Sequence, residues 1–147
     1  MPPPQPAPDP LSGYVLEDQV GHLLRRAHQR HVAIFQSAIG ADLTPTQFAA
    51  LVKLVELHRA TQNHLGRLTG MDPATIQGVI GRLVARGLVE RASDPTDRRM
   101  VALVPTAEGV RLALAAVVQG RDITEATLAP LDPAERHQFL ALLRRMI

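Results

Sequence analysis

A mainly helical fold carrying one small β-hairpin is what this 147-residue sequence predicts. Three observations point there. Apolar residues recur at spacings of three and four through most of the chain, as on amphipathic helices. Thr-Pro and Asp-Pro starts, together with glycine stops, divide that pattern into segments of helical length. Only around residues 88–104 does the period shorten to that of strands, on either side of a polar turn. Aromatic residues are 3% of a chain that is 46% hydrophobic, so its core must be Leu, Val, Ile and Ala.

Residues 1–10 hold six prolines and no apolar period, so 1–12 reads as an extended, disordered tail. Over 15–39, Val20, Leu24, Ala27, His31, Ile34 and Ala38 form one stripe, widened by Leu23, Phe35 and Ile39, with Gly40 as the stop. Such a helix of about 25 residues is roughly 37 Å long, enough to reach between lobes or subunits. Thr44-Pro45-Thr46-Gln47 reads as an N-cap, a first-position proline and a capping box, with Phe48, Leu51, Val52 and Val55 buried behind it. Thr61 caps a short helix that turns Leu65 and Leu68 inward and stops at Gly70. Asp72-Pro73 starts another, with Ile76, Val79, Ile80 and Leu83 inside and Gly87 as its stop. Strands are expected over 88–92 and 100–104, joined by a charged loop over 93–99. Thr106 and Gly109 open a helix over 107–128, and Asp132-Pro133 starts the last one. There Phe139, Leu140, Leu142, Leu143, Met146 and Ile147 are apolar, and so hydrophobic a chain end calls for a partner.

Two short helices joined by a tight glycine turn have the helix-turn-helix layout. That motif reads DNA with the N-terminal residues of its second helix in the major groove. Ala74, Thr75, Gln77 and Gly78 face outward near that start, with Arg82 a turn further on. Thr75 and Ala74 suit a thymine methyl, Gln77 suits adenine, and Arg82 suits a phosphate or base. Gly78 and Gly81 each lower helix propensity by up to about 1 kcal/mol relative to alanine, which close approach to DNA would explain. In the hairpin loop, Arg98 or Arg99 suits a minor groove, and Asp97 makes sense as the acid that directs an arginine. The competing reading is that all of these residues form an ordinary solvated surface. The net charge is only +2, yet of 16 basic residues Lys53 alone is lysine. Arginine's planar fork matches phosphate and guanine edges, although codon bias gives the same composition.

The run Asp72-Pro73-Ala74-Thr75-Ile76, Arg82-Leu83, Arg86-Gly87-Leu88-Val89, Asp94-Pro95-Thr96-Asp97-Arg98-Arg99 and Thr106 with Gly109 closely resembles the MarR (multiple antibiotic resistance regulator) family. The match is close from Leu43 to Gly109 and looser over 15–147. Two departures stand out: Gly78 where many members carry arginine, and Val104-Pro105 where leucine is usual. The resemblance implies a winged helix-turn-helix in an obligate triangular homodimer. It assigns 13–42 and 107–147 to a helical dimerisation lobe and 43–106 to the DNA-binding lobe. It also implies repression from a palindromic operator on double-stranded DNA, relieved when a small aromatic acid fills the crevice between lobes.

For that effector, the family places basic first-helix groups near Arg25 and His28, with His31, His22 and His58 as further candidates. Arginine pairs well with a carboxylate, and a histidine can bond a ring substituent. The His-rich first helix is similar to that of nicotinate-catabolism repressors, which makes a hydroxylated nicotinate the expected effector. No other cofactor is expected. A metal-responsive regulator is a second option, since His28 and His31 share a face, but no carboxylate stands beside them. A winged protein-interaction module without DNA binding is a third. No phosphate loop, Ser-His-Asp order or zinc-protease motif supports an enzyme. Without cysteine there is no disulfide, thiol switch or Cys-based zinc site. Neither an 18-residue apolar run nor a signal segment is visible, so a cytoplasmic protein is expected, with no membrane partner.

Overall fold

The computed structural model describes residues 7, 9–39 and 43–147. Most of the proline-rich tail and the expected stop at Gly40 lie outside the described residues. The chain runs α1 (Val20–Ile39), α2 (Pro45–Leu57), β1 (Ala60–Thr61), α3 (Gln62–Thr69), α4 (Pro73–Ala85), β2 (Val89–Ser93), β3 (Val101–Pro105), α5 (Ala107–Leu128) and α6 (Pro133–Arg144). A single 3-10 turn, Leu16–Asp18, precedes α1, which therefore begins at Val20 rather than at residue 15.

Local chemistry sets the helix starts. The Thr44 hydroxyl accepts from Gln47 N while the Gln47 side chain accepts from Thr44 N, both at 3.2 Å, so each satisfies an orphan donor of α2. Thr61, Asp72, Thr106 and Asp132 likewise accept from the amide three residues on. Gly70 and Gly87 take φ of 66° and 70°, the left-handed conformation that ends α3 and α4.

The hairpin forms as expected, each strand one residue later, with Arg91 opposite Leu103. The sequence reading lacked β1, which pairs with β3 and makes the order β1-β3-β2, all antiparallel. A two-residue strand leaves no periodic signal; it exists because β3 offers it a free edge.

Leu51 and Leu54 of α2, Leu65 of α3, Ile76, Ile80 and Leu83 of α4, Val89 and Leu103 are all fully buried. Each contributes about 1.5–3 kcal/mol by leaving water. Phe35 of α1 meets Phe48 of α2 edge to face, centroids 5.6 Å apart at 78°, joining α1 to this core. Leu68 does not join it and is 47% exposed. The buried face of α3 centres on Leu65 and Gly66 instead, because Gly66 lets Ile76 and the Met71 carbonyl close on it.

The outer helices are covered thinly. α1 buries only Phe35 and Ile39, and Val20, Leu24, Ala27 and Ala38 of its expected stripe are exposed. α5 packs on α1 and α2 through Ala113, Ala116 and Ile123 but leaves Leu114 and Val118 in solvent. No residue of α6 is buried, and Phe139, Leu142, Met146 and Ile147 are exposed.

Candidate nucleic-acid interface and ligand cavity

The second helix of the helix-turn-helix is α4. Its cap is firm: Asp72 Oδ1 accepts from Thr75 N at 2.7 Å. That bond, followed by one from the Thr75 hydroxyl, holds the Asp72 carboxyl below the usual carboxylate range. Ile76, Val79, Ile80 and Leu83 face the core, so Ala74, Thr75, Gln77, Gly78 and Arg82 are left outward, all exposed. This is the face that a major groove would receive.

A Cβ built on Gly78 or on Gly81 would meet nothing within 4 Å. Neither glycine is needed for packing inside the chain. Gly78→Ala and Gly81→Ala are therefore expected to stabilise the protein by about 0.5–1 kcal/mol each, read as a rise in melting temperature. A fall for either would mean that the helix needs glycine there for a reason within the protein.

The loop between β2 and β3 is a built turn. Asp94 Oδ1 accepts from Thr96 N (2.8 Å), the Thr96 hydroxyl (2.6 Å) and Asp97 N (3.2 Å). These bonds, the Thr96 hydroxyl first, keep Asp94 ionised below the usual range, with help from the Arg59 charge. Asp97 Oδ1 accepts from Arg99 N at 3.0 Å, while the Arg99 Nε lies 3.9 Å away. Asp97 thus fixes the backbone that carries the arginines more than it neutralises them, for the Arg99 side chain is 96% exposed. Arg98 is exposed as well and makes no hydrogen bond or ion pair among the described residues. Sequence reasoning missed Arg59, whose guanidinium donates to the Ser93 carbonyl at 3.5 Å. Only the β1–β3 pairing brings it to the wing.

The candidate effector residues divide. His28 and His31 open together into a cavity of about 360 Å3 between α1, α5 and α6, with Leu24, Thr127, Phe139 and Leu143 among its walls. That volume is within the range of about 300–1,000 Å3 usual for small-ligand sites. His31 Nδ1 and the Thr127 hydroxyl are hydrogen-bonded at 2.9 Å. Burial, then the charge of His28, pushes the His31 pKa down. Arg25 is not in this wall; its guanidinium donates to His22 Nδ1 at 3.2 Å on the exposed side of α1. His58 is remote in role, forming the C-cap of α2 with φ of 64°. Arg30, which no motif singled out, donates to the Thr127 and Ala126 carbonyls (2.7 and 3.0 Å) and ties α1 to the end of α5.

A second cavity, about 470 Å3, lies where α5 begins, beside Arg86, Leu88 and Leu112. Its Arg111 is already engaged by both carboxylate oxygens of Glu108, which leaves it poorly suited to a second anion. Among the described residues no group of three or more His, Asp or Glu is placed to hold a metal ion.

A model of the MarR family matches residues 41–100. The HTH-type transcriptional repressor NicR of Pseudomonas putida is 43% identical over 145 residues, covering 98% of this chain and 92% of that protein. A crystal structure of a probable transcriptional regulator from Pseudomonas aeruginosa is 46% identical, covers 90% of this chain and 100% of its own, and superposes with a TM-score of 0.87. BpsR of Bordetella bronchiseptica, whose DNA binding is regulated by 6-hydroxynicotinic acid, is 44% identical, with 90% and 96% coverage and a TM-score of 0.87.

Proposed function

Because this chain belongs to the MarR family, we propose that it is a transcriptional repressor that binds a palindromic operator as a homodimer and leaves it when a small anionic aromatic acid binds. It acts on DNA as a regulator, not as an enzyme. The observation that carries the reading is the pairing of an outward polar start on α4 with an arginine-tipped wing held by Asp94. Residues 43–106 form the DNA-binding lobe in this reading, and Ala74, Thr75, Gln77, Gly78, Arg82, Asp97, Arg98 and Arg99 contact or organise the DNA contacts. Residues 13–42 and 107–147 form the dimerisation lobe. The bare α6 and the exposed apolar start of α1 support that assignment, since a monomer gains nothing from leaving them in water. No described helix is long and apolar enough to cross a membrane, and a DNA partner favours a cytoplasmic location.

For the effector, the relationship to NicR and to BpsR favours a hydroxylated nicotinate. The apolar cavity suits a flat ring, and His28 and His31 are the groups lining it able to meet a carboxylate with positive charge. The sign of the pH effect follows. His31 is depressed in the free protein, so it is neutral near pH 7. A bound carboxylate favours imidazolium and raises that pKa. Binding then takes up a proton, and affinity falls as pH rises, by up to about tenfold per unit.

Titrating 6-hydroxynicotinic acid into the preformed protein–operator complex tests this. DNA release is expected at lower acid concentration at about pH 6 than at about pH 8, and His31→Leu should weaken the response and flatten its pH dependence. Release that ignores both pH and His31→Leu would place the effector elsewhere. No release at all by this acid or related aromatic acids would remove the effector from the proposal.

A further inference from the structure

We propose that Thr106 is a positioning residue for DNA binding: one hydroxyl ties the end of the DNA-reading helix α4 to the start of α5. The inference rests on the DNA-binding reading above. The Thr106 hydroxyl donates to the Gly87 carbonyl at 2.7 Å and accepts from Gly109 N at 3.0 Å. Its own amide donates to the Leu88 carbonyl at 3.1 Å. Two successive carbonyls just past α4 are therefore held by a single residue.

The other side of the joint is equally tight. Gly87 N donates to the Val84 carbonyl and Leu88 N to the Leu83 carbonyl, both at 2.9 Å. Together they close α4 and leave the Gly87 carbonyl aimed at Thr106. Gly109 brings the first turn of α5 against the Leu88 carbonyl with no room for a side chain. α4, β2 and α5 thus meet at Gly87, Leu88, Thr106 and Gly109, and α4 cannot tilt independently of α5. α5 is 22 residues long and carries near its far end Thr124 and Thr127, which line the histidine cavity. Thr106 is where a movement of that helix reaches the DNA-reading face, although Thr106 itself touches no DNA.

A cap alone predicts a different outcome from a tie. Thr106→Val removes both hydroxyl bonds, and Thr106→Ser keeps both. Thr44→Ala removes a comparable cap, on α2, whose hydroxyl bonds to Thr46 and Gln47 and not to α4. With all proteins held well below their melting temperatures, Thr106→Val should weaken operator binding at least about tenfold with an unchanged salt slope, because no phosphate contact is lost. Thr106→Ser should stay within about threefold of the parent and Thr44→Ala within about twofold. Amide exchange at Arg86, Gly87 and Leu88 should quicken in Thr106→Val and not in Thr44→Ala. Thr106→Val behaving like Thr44→Ala in both affinity and exchange would overturn the proposal. Quickened exchange in Thr106→Val, together with a parent protein that binds no DNA selectively, would keep the joint but sink the DNA-binding reading, and the role assigned to Thr106 with it.

Discussion

Replacing Arg98 and Arg99 together by alanine is expected to weaken operator binding by about a hundredfold and to leave the melting temperature unchanged. An arginine that reads a groove contributes about 1–3 kcal/mol, and about 1.4 kcal/mol is a factor of ten. One inserting arginine is lost per wing, and so twice in the homodimer, which at about 1.4 kcal/mol each gives the hundredfold. Stability should hold because exposed surface substitutions usually stay within about 0.5 kcal/mol, and the turn itself hangs on Asp94 and Asp97 rather than on the arginines. The salt slope should fall by about one for each phosphate contact removed. Asp94→Ala gives the complementary result, since it unties the loop and leaves both arginines in place. Anisotropy titrations at several salt concentrations read all of these, and an Arg98→Ala/Arg99→Ala protein that binds like the parent would take the wing out of the interface.

Among the described glycines, Gly109→Ala is expected to have the largest effect on stability. The new Cβ would fall inside the van der Waals envelope of the Leu88 carbonyl oxygen. A backbone oxygen at the start of β2 cannot swing aside as a side chain can, so α5 must shift or the α4–β2 turn must open. Overpacking of this kind costs about 1–3 kcal/mol, and here the upper end applies. For a chain of this size that lowers the melting temperature by roughly 10 °C. Gly120→Ala is the internal control. Its Cβ would meet the far edge of the Phe48 ring at 2.9 Å, a side chain that can rotate away. The expected order of stability is Gly78→Ala above the parent, Gly120→Ala a little below it and Gly109→Ala far below. Thermal melts would contradict the account if Gly109→Ala were as mild as Gly120→Ala.

What could be read from sequence was what local chemistry determines. Thr44, Thr61, Asp72, Thr106 and Asp132 announce their helices because a cap needs only its own side chain and an amide three residues on. The buried face of α4 follows from period alone, whereas α2 buries Gln47, Ala50, Leu51 and Leu54 and leaves Val52 and Val55 of its expected face half-buried. The losses were non-local. β1 and Arg59 owe their place to β3, about forty residues later, and nothing near Ala60 signals that edge. Leu68 looked inward at helical spacing, yet the missing side chain of Gly66 decides which face α3 buries. The sequence offered five basic candidates for a carboxylate site, four on the first helix and His58 after the second, with no local means of ranking them. α5 and α6 separate them in space: they build a cavity onto His28 and His31 and leave Arg25 bonded to His22. The exposed half of α1 has the same cause in reverse, because the surface that would cover its stripe is not part of the chain's own fold.

The central claim is that two copies of this chain grip one DNA site through paired winged lobes. Fluorescence anisotropy with the gene's own upstream DNA, against unrelated DNA of equal length and over a range of salt, tests it most directly. The account predicts selective binding that weakens steeply with salt and, in a titration well above the Kd, a break at two chains per duplex. Binding no better than to the control duplex at every salt concentration would contradict it, and the winged fold would then have to be read as a protein-interaction module.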